Sequence, residues 1–496
     1  MKNRLTVWIN KNKFEFLALL VILLAAAFLR LYKIAGYMTF LGVEGRDVLV
    51  VKRMIVDHKW TLLGPNASVA GFFLGPIYYY FMIPFLWAFR LNPVGPAVMV
   101  ALFGVATVFL VHKVGRDFFN FRVGLLAAGL YAISPLVITY SRSSWNPNLV
   151  PFFSLLTIWL LWQTTSKKDF RILGLIGFLL GIAIQLHYLT IFLIAIVGFY
   201  FFFFGVQRRK LKSYFWLIGG FLAGWSPFLL FELRHRFPNF RTLYRFILFS
   251  EETGFVFKKF IPIVSDVGWR LFERLMANKQ QILTYVLFLT VLPIFVFNWF
   301  KEKKDKSVYA LLGFWLILGV LLFGFYQDDI YDYYFSFMFP LPFLLTAFAL
   351  EKIAGKKRIG LCLAGLLAGF LVWASLQDIP FRRPPNRQLE QVKEIARFVF
   401  ERSEGKPLNF ALITGSNSDH AYRYFLDVWG NSPTVIENPQ VDPERETVTD
   451  QLFVVCETLP CSPEGHPLWE IAGFGRAEIV DEGKISFVKI YKLRHL

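Results

Sequence analysis

Apolar residues come in long runs, broken by short charged stretches, as far as residue 376. A run of ~20 apolar residues suffices to cross the hydrocarbon core of a bilayer. The pattern predicts about eleven spans, at 16–35, 95–113, 122–140, 148–164, 171–187, 188–206, 213–233, 281–300, 307–326, 332–350 and 358–376. The stretches between them include five basic ones: HKVGRDFFNFR, SKKDFR, QRRKLK, KEKKDK and EKIAGKKR. With eleven crossings all five fall on the side of the basic N-terminus. The positive-inside rule makes that side cytoplasmic. MKNRLTVWINKNK precedes a full-length apolar span with no obvious small-residue cleavage site, so the first span reads as an uncleaved anchor.

Residues 71–89, GFFLGPIYYYFMIPFLWAF, are apolar enough to cross. A crossing there would move every later basic loop to the outer side. The charge pattern therefore predicts a segment that lies in, or dips into, the outer interface, which suits its two prolines and its Tyr triplet. Residues 36–94 then form one long outer loop. A second covers about 234–280, and a short turn falls at 327–332.

The pattern changes near residue 378. QDIPFRRPPNRQ is a Pro/Arg linker. Beyond it, 389–402 has helical periodicity, NFALIT reads as a strand and HAYRYFLDVW as a helix. TVIE, LFVVCE and ISFVKIYKL read as strands. The expected architecture is a mainly α polytopic membrane domain, 1–377, followed by a small extracytoplasmic α/β domain, 378–496.

Composition agrees. The chain is 56% hydrophobic and only 18% charged, too few charges to clothe a soluble domain of this length. The net charge of +18 does not point to nucleic acid, because the basic residues sit mostly in the short loops. Three cysteines are too few for a disulfide scaffold. Cys362 lies in an apolar run. Cys456 and Cys461, in CETLPC, can form a disulfide if the tail faces outward, and their spacing does not fit a zinc ribbon.

Charges on the outer face call for an explanation. FLGVEGRDVLV, at 40–50, carries Glu44, Arg46 and Asp47. On a helix Glu44 and Asp47 share a face, and Gly45 leaves room beside them for a ligand or another backbone. A carboxylate here can take or orient the proton of an acceptor hydroxyl. The competing reading is a solvated amphipathic helix whose charges pair on its surface. SRSSWNPN contributes Arg142, Asn146 and Asn148. LHYLT contributes His187 and Tyr188. FELRHRF contributes Arg234 and His235, basic residues against the topological bias and suited to an anionic headgroup. QDDIYDYY contributes Asp332.

In this order the first-loop charges, LLGP, FFLGPIYYYFMIP, GLLAAGLYAISPLVITYSRSSWNPN and YDYYFSFMFPLP resemble the GT-C fold of polyprenyl-phosphate-sugar-dependent glycosyltransferases. The likeness covers roughly residues 15–350. It is nearest to family 39, the bacterial relatives of protein O-mannosyltransferases and aminoarabinose transferases. The resemblance implies transfer of a sugar from an isoprenoid phosphate to an acceptor hydroxyl of a lipid, glycan or protein, with Glu44 and Asp47 as the catalytic carboxylates. It implies that Arg46, Arg142, Asn146, Asn148, His187, Tyr188, Arg234, His235 and Asp332 serve substrate binding. Relatives usually carry an acid where this chain has Val43. Either Glu44 has taken the role, or the chain binds lipid-linked sugars without turning them over. Asn146 and Asn148 stand where many relatives have an acid, which weakens the case for a divalent metal without closing it, and no other cofactor is indicated. A transporter of the same lipids would want charged or broken spans and repeated halves. The spans carry few such residues, and no repeated halves are evident.

Overall fold

The computed structural model describes residues 11–67, 71–167, 171–204, 211–250, 252–302 and 306–496. Residues 1–10 of the basic N-terminal stretch and parts of SKKDFR, QRRKLK and KEKKDK lie outside these residues. The chain forms two compact units. The first is built from segments ending at Tyr32, Thr61–Phe81 and Val98–Pro384. The second is built from Lys33–Trp60, Met82–Ala97 and Pro385–Leu496. The second unit thus takes in parts of the first loop as well as the tail.

Every expected span is largely helical over its described residues. Among the described residues six helices are long and apolar enough to cross a membrane: Lys13–Leu31, Val94–Phe118, Leu211–Arg234, Gln281–Lys301, Lys306–Phe325 and Arg358–Gln377. Asp332–Met338 and Pro340–Ala354, bent by 57°, make a seventh if taken as one span. The bend sits where Pro340 and Pro342 remove amides from the helical ladder and Phe335 leaves helical geometry. The remaining expected spans are shorter or broken. The one at 122–140 divides at Ser134, in front of Pro135, into Phe121–Ile133 and Pro135–Tyr140. The others are Val150–Lys167, Arg171–Leu186 and Ile191–Phe204. The helix in the argued segment, Ile77–Ala88, has twelve residues. At ~1.5 Å per residue it is about 18 Å long, short of the ~30 Å hydrocarbon core.

Within the first unit Arg171–Leu186 packs closely on Leu211–Arg234. A Cβ on Gly220 would lie 1.9 Å from the Gly174 carbonyl oxygen, and one on Gly224 would lie 2.2 Å from that of Phe178. Small residues four apart let the two backbones touch, the usual solution where lipid offers no hydrophobic drive to association. Gln185 Nε2 ties the seam by donating to the Gly181 and Gly224 carbonyls at 2.9 and 2.7 Å.

The second unit holds a four-stranded sheet: β1 (Asn409–Ile413), β2 (Gln451–Cys456), β3 (Ala477–Ile485) and β4 (Val488–His495), in the order β1-β2-β4-β3. β1 and β2 are parallel, and the other pairs are antiparallel. The expected helices form as Gln388–Arg402 and His420–Val428. Two strand expectations change. TVIE makes only a bridge from Thr434 to Asn409. ISFVKIYKL is not one strand: it turns at Ser486, whose φ of 58° lies in the left-handed region, and a strand unforeseen in AEIVDEGKI precedes the turn. Cys456 and Cys461 form a disulfide at the end of β2.

Candidate functional site

The first-loop helix, Gly42–Val56, belongs to the second unit. Leu41 enters it in extended conformation, and its amide donates to Glu44 Oε2 at 3.0 Å, so the carboxylate caps its own helix. Asp47 Oδ1 accepts from Arg46 Nε and a terminal nitrogen at 3.0 and 2.8 Å. Glu44 and Asp47 share a face, and that face is buried, at 8% and 0% exposure. A solvated surface helix does not describe them. Burial pushes the Glu44 carboxyl above the ordinary carboxylate range, with nearby Asp47 adding to it against the Leu41 hydrogen bond and Arg46. Val43 points elsewhere and is 43% exposed.

Of the two uses expected of Gly45, room for a ligand or for another backbone, the structure shows the second. A Cβ there would lie 2.3 Å from the Ala421 nitrogen and 2.4 Å from its Cα. The space is filled by the backbone of the helix His420–Val428. The same face is closed at its far end by Lys52 and Asp427, 2.9 Å apart.

In the first unit the segment from Tyr326 to Phe339 gathers several expected residues. Asp332 is buried and accepts from Arg270 at 3.1 and 2.5 Å through Oδ1, and from Arg274 Nε at 2.9 Å through Oδ2. Arg270 also donates to the Ile330 carbonyl at 2.7 Å. These groups line an open cleft of about 610 Å³, together with Tyr140, Trp145, Trp269, Glu273, Tyr331 and Tyr333. Trp145 and Tyr333 are in ring contact at 4.4 Å.

Ring contacts lead away from the cleft: Tyr333 to Tyr334 at 4.7 Å, Tyr334 to Tyr326 at 5.8 Å and to Tyr188 at 6.1 Å. Tyr188 and Tyr326 wall an apolar cavity of about 370 Å³, shared with Phe72, Phe192, Trp225, Phe228, Phe240 and Phe246 among others. His187 packs on Tyr188, Tyr333 and Tyr334, and its Nδ1 accepts from the Leu189 amide. Asn148 lies with Tyr140 and Tyr333 at a smaller cavity and donates to the Ser143 carbonyl at 2.9 Å. Asn146 is buried and donates to the Leu186 carbonyl at 2.6 Å, joining two of the expected outer turns.

Two sets of expected residues lie away from this cluster. Arg142 donates to the Leu29 and Tyr32 carbonyls, both at 2.7 Å, and stacks on Phe381. It satisfies the C-terminal carbonyls of the first helix, a structural task. Arg234 and His235 are exposed, and the His235 ring rests on Phe231. In that stretch the anchoring falls to Glu232, fully buried, whose oxygens accept from the Asn239 side chain at 2.7 Å and the Phe240 amide at 3.0 Å. Asn239 in turn accepts from Phe73 N at 2.8 Å. Arg270 and Arg274 were not anticipated. Their signal is a pair of arginines four apart, at the end of an amphipathic helix in the second expected outer loop, against the charge bias expected there. Among the described residues no group of three or more His, Cys, Asp or Glu side chains converges as metal ligands.

Comparison with known proteins gives this geometry a class. Residues 74–231 match the family described as dolichyl-phosphate-mannose-protein mannosyltransferase. No curated protein matches the chain in sequence. The fold is similar to ArnT from Cupriavidus metallidurans bound to undecaprenyl phosphate, with a TM-score of 0.62 at 12% identity over 98% of both chains. It is also similar to the archaeal oligosaccharyltransferase AglB from Archaeoglobus fulgidus in complex with an inhibitory peptide and a dolichol-phosphate. There the TM-score is 0.58 at 11% identity, over 90% of this chain and 70% of that one. The protein is a multi-pass membrane protein with the GT-C fold. Within that class its resemblance is to the polyprenyl-phosphate-sugar-dependent glycosyltransferases.

Proposed function

We propose that the protein transfers a sugar from a polyprenyl-phosphate donor to an acceptor hydroxyl at the outer face of the cytoplasmic membrane. One observation carries the reading: a single segment of the first unit, Tyr326–Tyr334, serves both an apolar aromatic cavity and a cleft holding two arginines. An amphiphile with an isoprenoid chain and an anionic head has those two needs. ArnT is bound to undecaprenyl phosphate and AglB to a dolichol-phosphate, which supports this donor class.

The chemistry divides into two tasks. The acceptor hydroxyl must lose a proton as its oxygen attacks the anomeric carbon. Glu44 is the base: a buried carboxyl with raised proton affinity is better matched to that work near neutral pH than an exposed one. Asp47 holds Arg46 beside it. As the anomeric C–O bond breaks, charge collects on the departing polyprenyl phosphate. Arg270 and Arg274, preset by Asp332, are the groups suited to hold it. The disulfide in the tail and the basic loops support a cytoplasmic N-terminus and an extracytoplasmic C-terminal domain.

Purified protein supplied with polyprenyl-phosphate sugars is expected to release polyprenyl phosphate and label an acceptor. Activity unchanged in the double variant Glu44→Gln, Asp47→Asn would end the site assignment. A second reading rests on Val43, an aliphatic residue where relatives usually carry an acid: a lipid-sugar binder without turnover. On that reading Val43→Asp creates transfer where the unmodified chain has none. Full activity in the unmodified chain removes it.

A further inference from the structure

The first turn of the helix that carries Glu44 shares its amides between two acceptors. Leu41 N goes to Glu44 itself. Gly42 N donates to Asn417 Oδ1 at 2.9 Å, and the same oxygen accepts from Ser418 N at 2.9 Å. A helix start has no internal partners for these amides, so the acceptor that meets Gly42 N helps decide where the helix begins.

Asn417 is itself held. Its Nδ2 donates to both oxygens of Glu457, at 2.9 and 3.2 Å. Glu457 also accepts from Thr414 Oγ at 2.8 Å and Tyr422 OH at 2.6 Å. With acceptors only on Glu457 and donors only at Gly42 and Ser418, the amide can face one way. Glu457 directly follows Cys456 at the end of β2, and its own amide donates to the Ile413 carbonyl of β1 at 3.0 Å. Hydrogen bonds therefore run without interruption from the sheet through Glu457 and Asn417 to Gly42, two residues from Glu44. Gly45 against Ala421, and Lys52 with Asp427, hold the rest of the helix to the same domain.

We propose that Asn417, oriented by Glu457, is a positioning residue that fixes the start of the first-loop helix and thereby holds the Glu44 carboxylate for proton transfer. The C-terminal domain then belongs to the catalytic apparatus, as the rigid body on which the base is mounted. The inference rests on Glu44 as base, the reading given above.

The test is a set of variants in the full-length protein. Asn417→Ala removes the acceptor. The freed Gly42 amide and incoming water then favour the charged form of Glu44. The expected result is a fall in kcat of about tenfold, the rate equivalent of one hydrogen bond, with KM for the lipid donor within twofold and the acid limb of the pH profile at lower pH. Amide exchange at residues 41–45 rises. The double variant Asn417→Asp, Glu457→Gln reverses the polarity of the link: the amide introduced at position 457 donates, and the carboxylate introduced at position 417 accepts from it and from Gly42 N. It is expected to regain most of kcat and the exchange protection. Asn417→Ala with wild-type kcat, acid limb and exchange would overturn the proposal, as would a loss that the double variant does not recover. Glu44→Gln separates the two failures. If it leaves transfer intact, the site reading falls. If it abolishes transfer while Asn417→Ala is silent, only the positioning role falls. Amide exchange decides the link even if the unmodified chain transfers no sugar.

Discussion

Gly45→Ala tests the close backbone contact between the first-loop helix and the helix His420–Val428. The added methyl would sit 2.3 and 2.4 Å from backbone atoms of Ala421. Carbon contacts settle near ~3.5–4.0 Å, so the two helices must part by more than ~1 Å. Backbone cannot swing aside as a side chain can. Overpacking of this kind costs ~1–3 kcal/mol, here at the upper end, and alanine's better helix propensity returns up to ~1 kcal/mol. A net loss of ~2 kcal/mol is expected. Gly369→Ala is the control, since a methyl there meets nothing within 4 Å. Thermal unfolding in lipid nanodiscs, with protease sensitivity of residues 385–496 as a second readout, should show Gly45→Ala destabilised and Gly369→Ala not. Equal transition temperatures and equal protease resistance would refute the argued packing.

Glu44→Gln should stabilise the protein at neutral pH while abolishing transfer. Burial raises the Glu44 pKa in the folded state, so the group's contribution to stability is full below the unfolded carboxylate range and is lost as pH rises through the folded value. The gap in transition temperature between variant and wild type should therefore be largest near pH ~8 and close below pH ~4, and a variant less stable at the alkaline end contradicts this. Asp332→Ala leaves two guanidiniums without their shared carboxylate. Breaking a buried pair costs ~3–5 kcal/mol, reduced here toward ~2 kcal/mol because Arg270 and Arg274 are 20% and 31% exposed. A melting curve unchanged from wild type would exclude it. Arg274→Ala should raise KM for the lipid donor about tenfold or more, the loss of one charge-assisted contact, and an effect confined to the acceptor's KM would move the phosphate elsewhere.

Much of the helical framework was legible because burial in lipid imposes a length and a composition that the sequence states outright. The segment at 71–89 is read from the distribution of charge in the later loops, and it contains the twelve-residue helix Ile77–Ala88. What escaped were features set by tertiary contact. Gly45 looks the same in sequence whether a ligand or Ala421 fills the space. Arg142 reads as a substrate-binding residue in sequence because its partners, the carbonyls of Leu29 and Tyr32, are backbone atoms over a hundred residues away. Arg270 and Arg274 were passed over in a long loop, since nothing local links them to Asp332. The strand Ala477–Ile485 was missed because its mostly polar, half-exposed edge position lacks the apolar signal of a central strand.

The central claim is tested most directly by supplying purified protein in nanodiscs with a polyprenyl-phosphate sugar and following release of polyprenyl phosphate. The account predicts release by the wild type in the presence of an acceptor, and none by the double variant Glu44→Gln, Asp47→Asn. No release by the wild type with any such donor, or equal release by the variant, would contradict it.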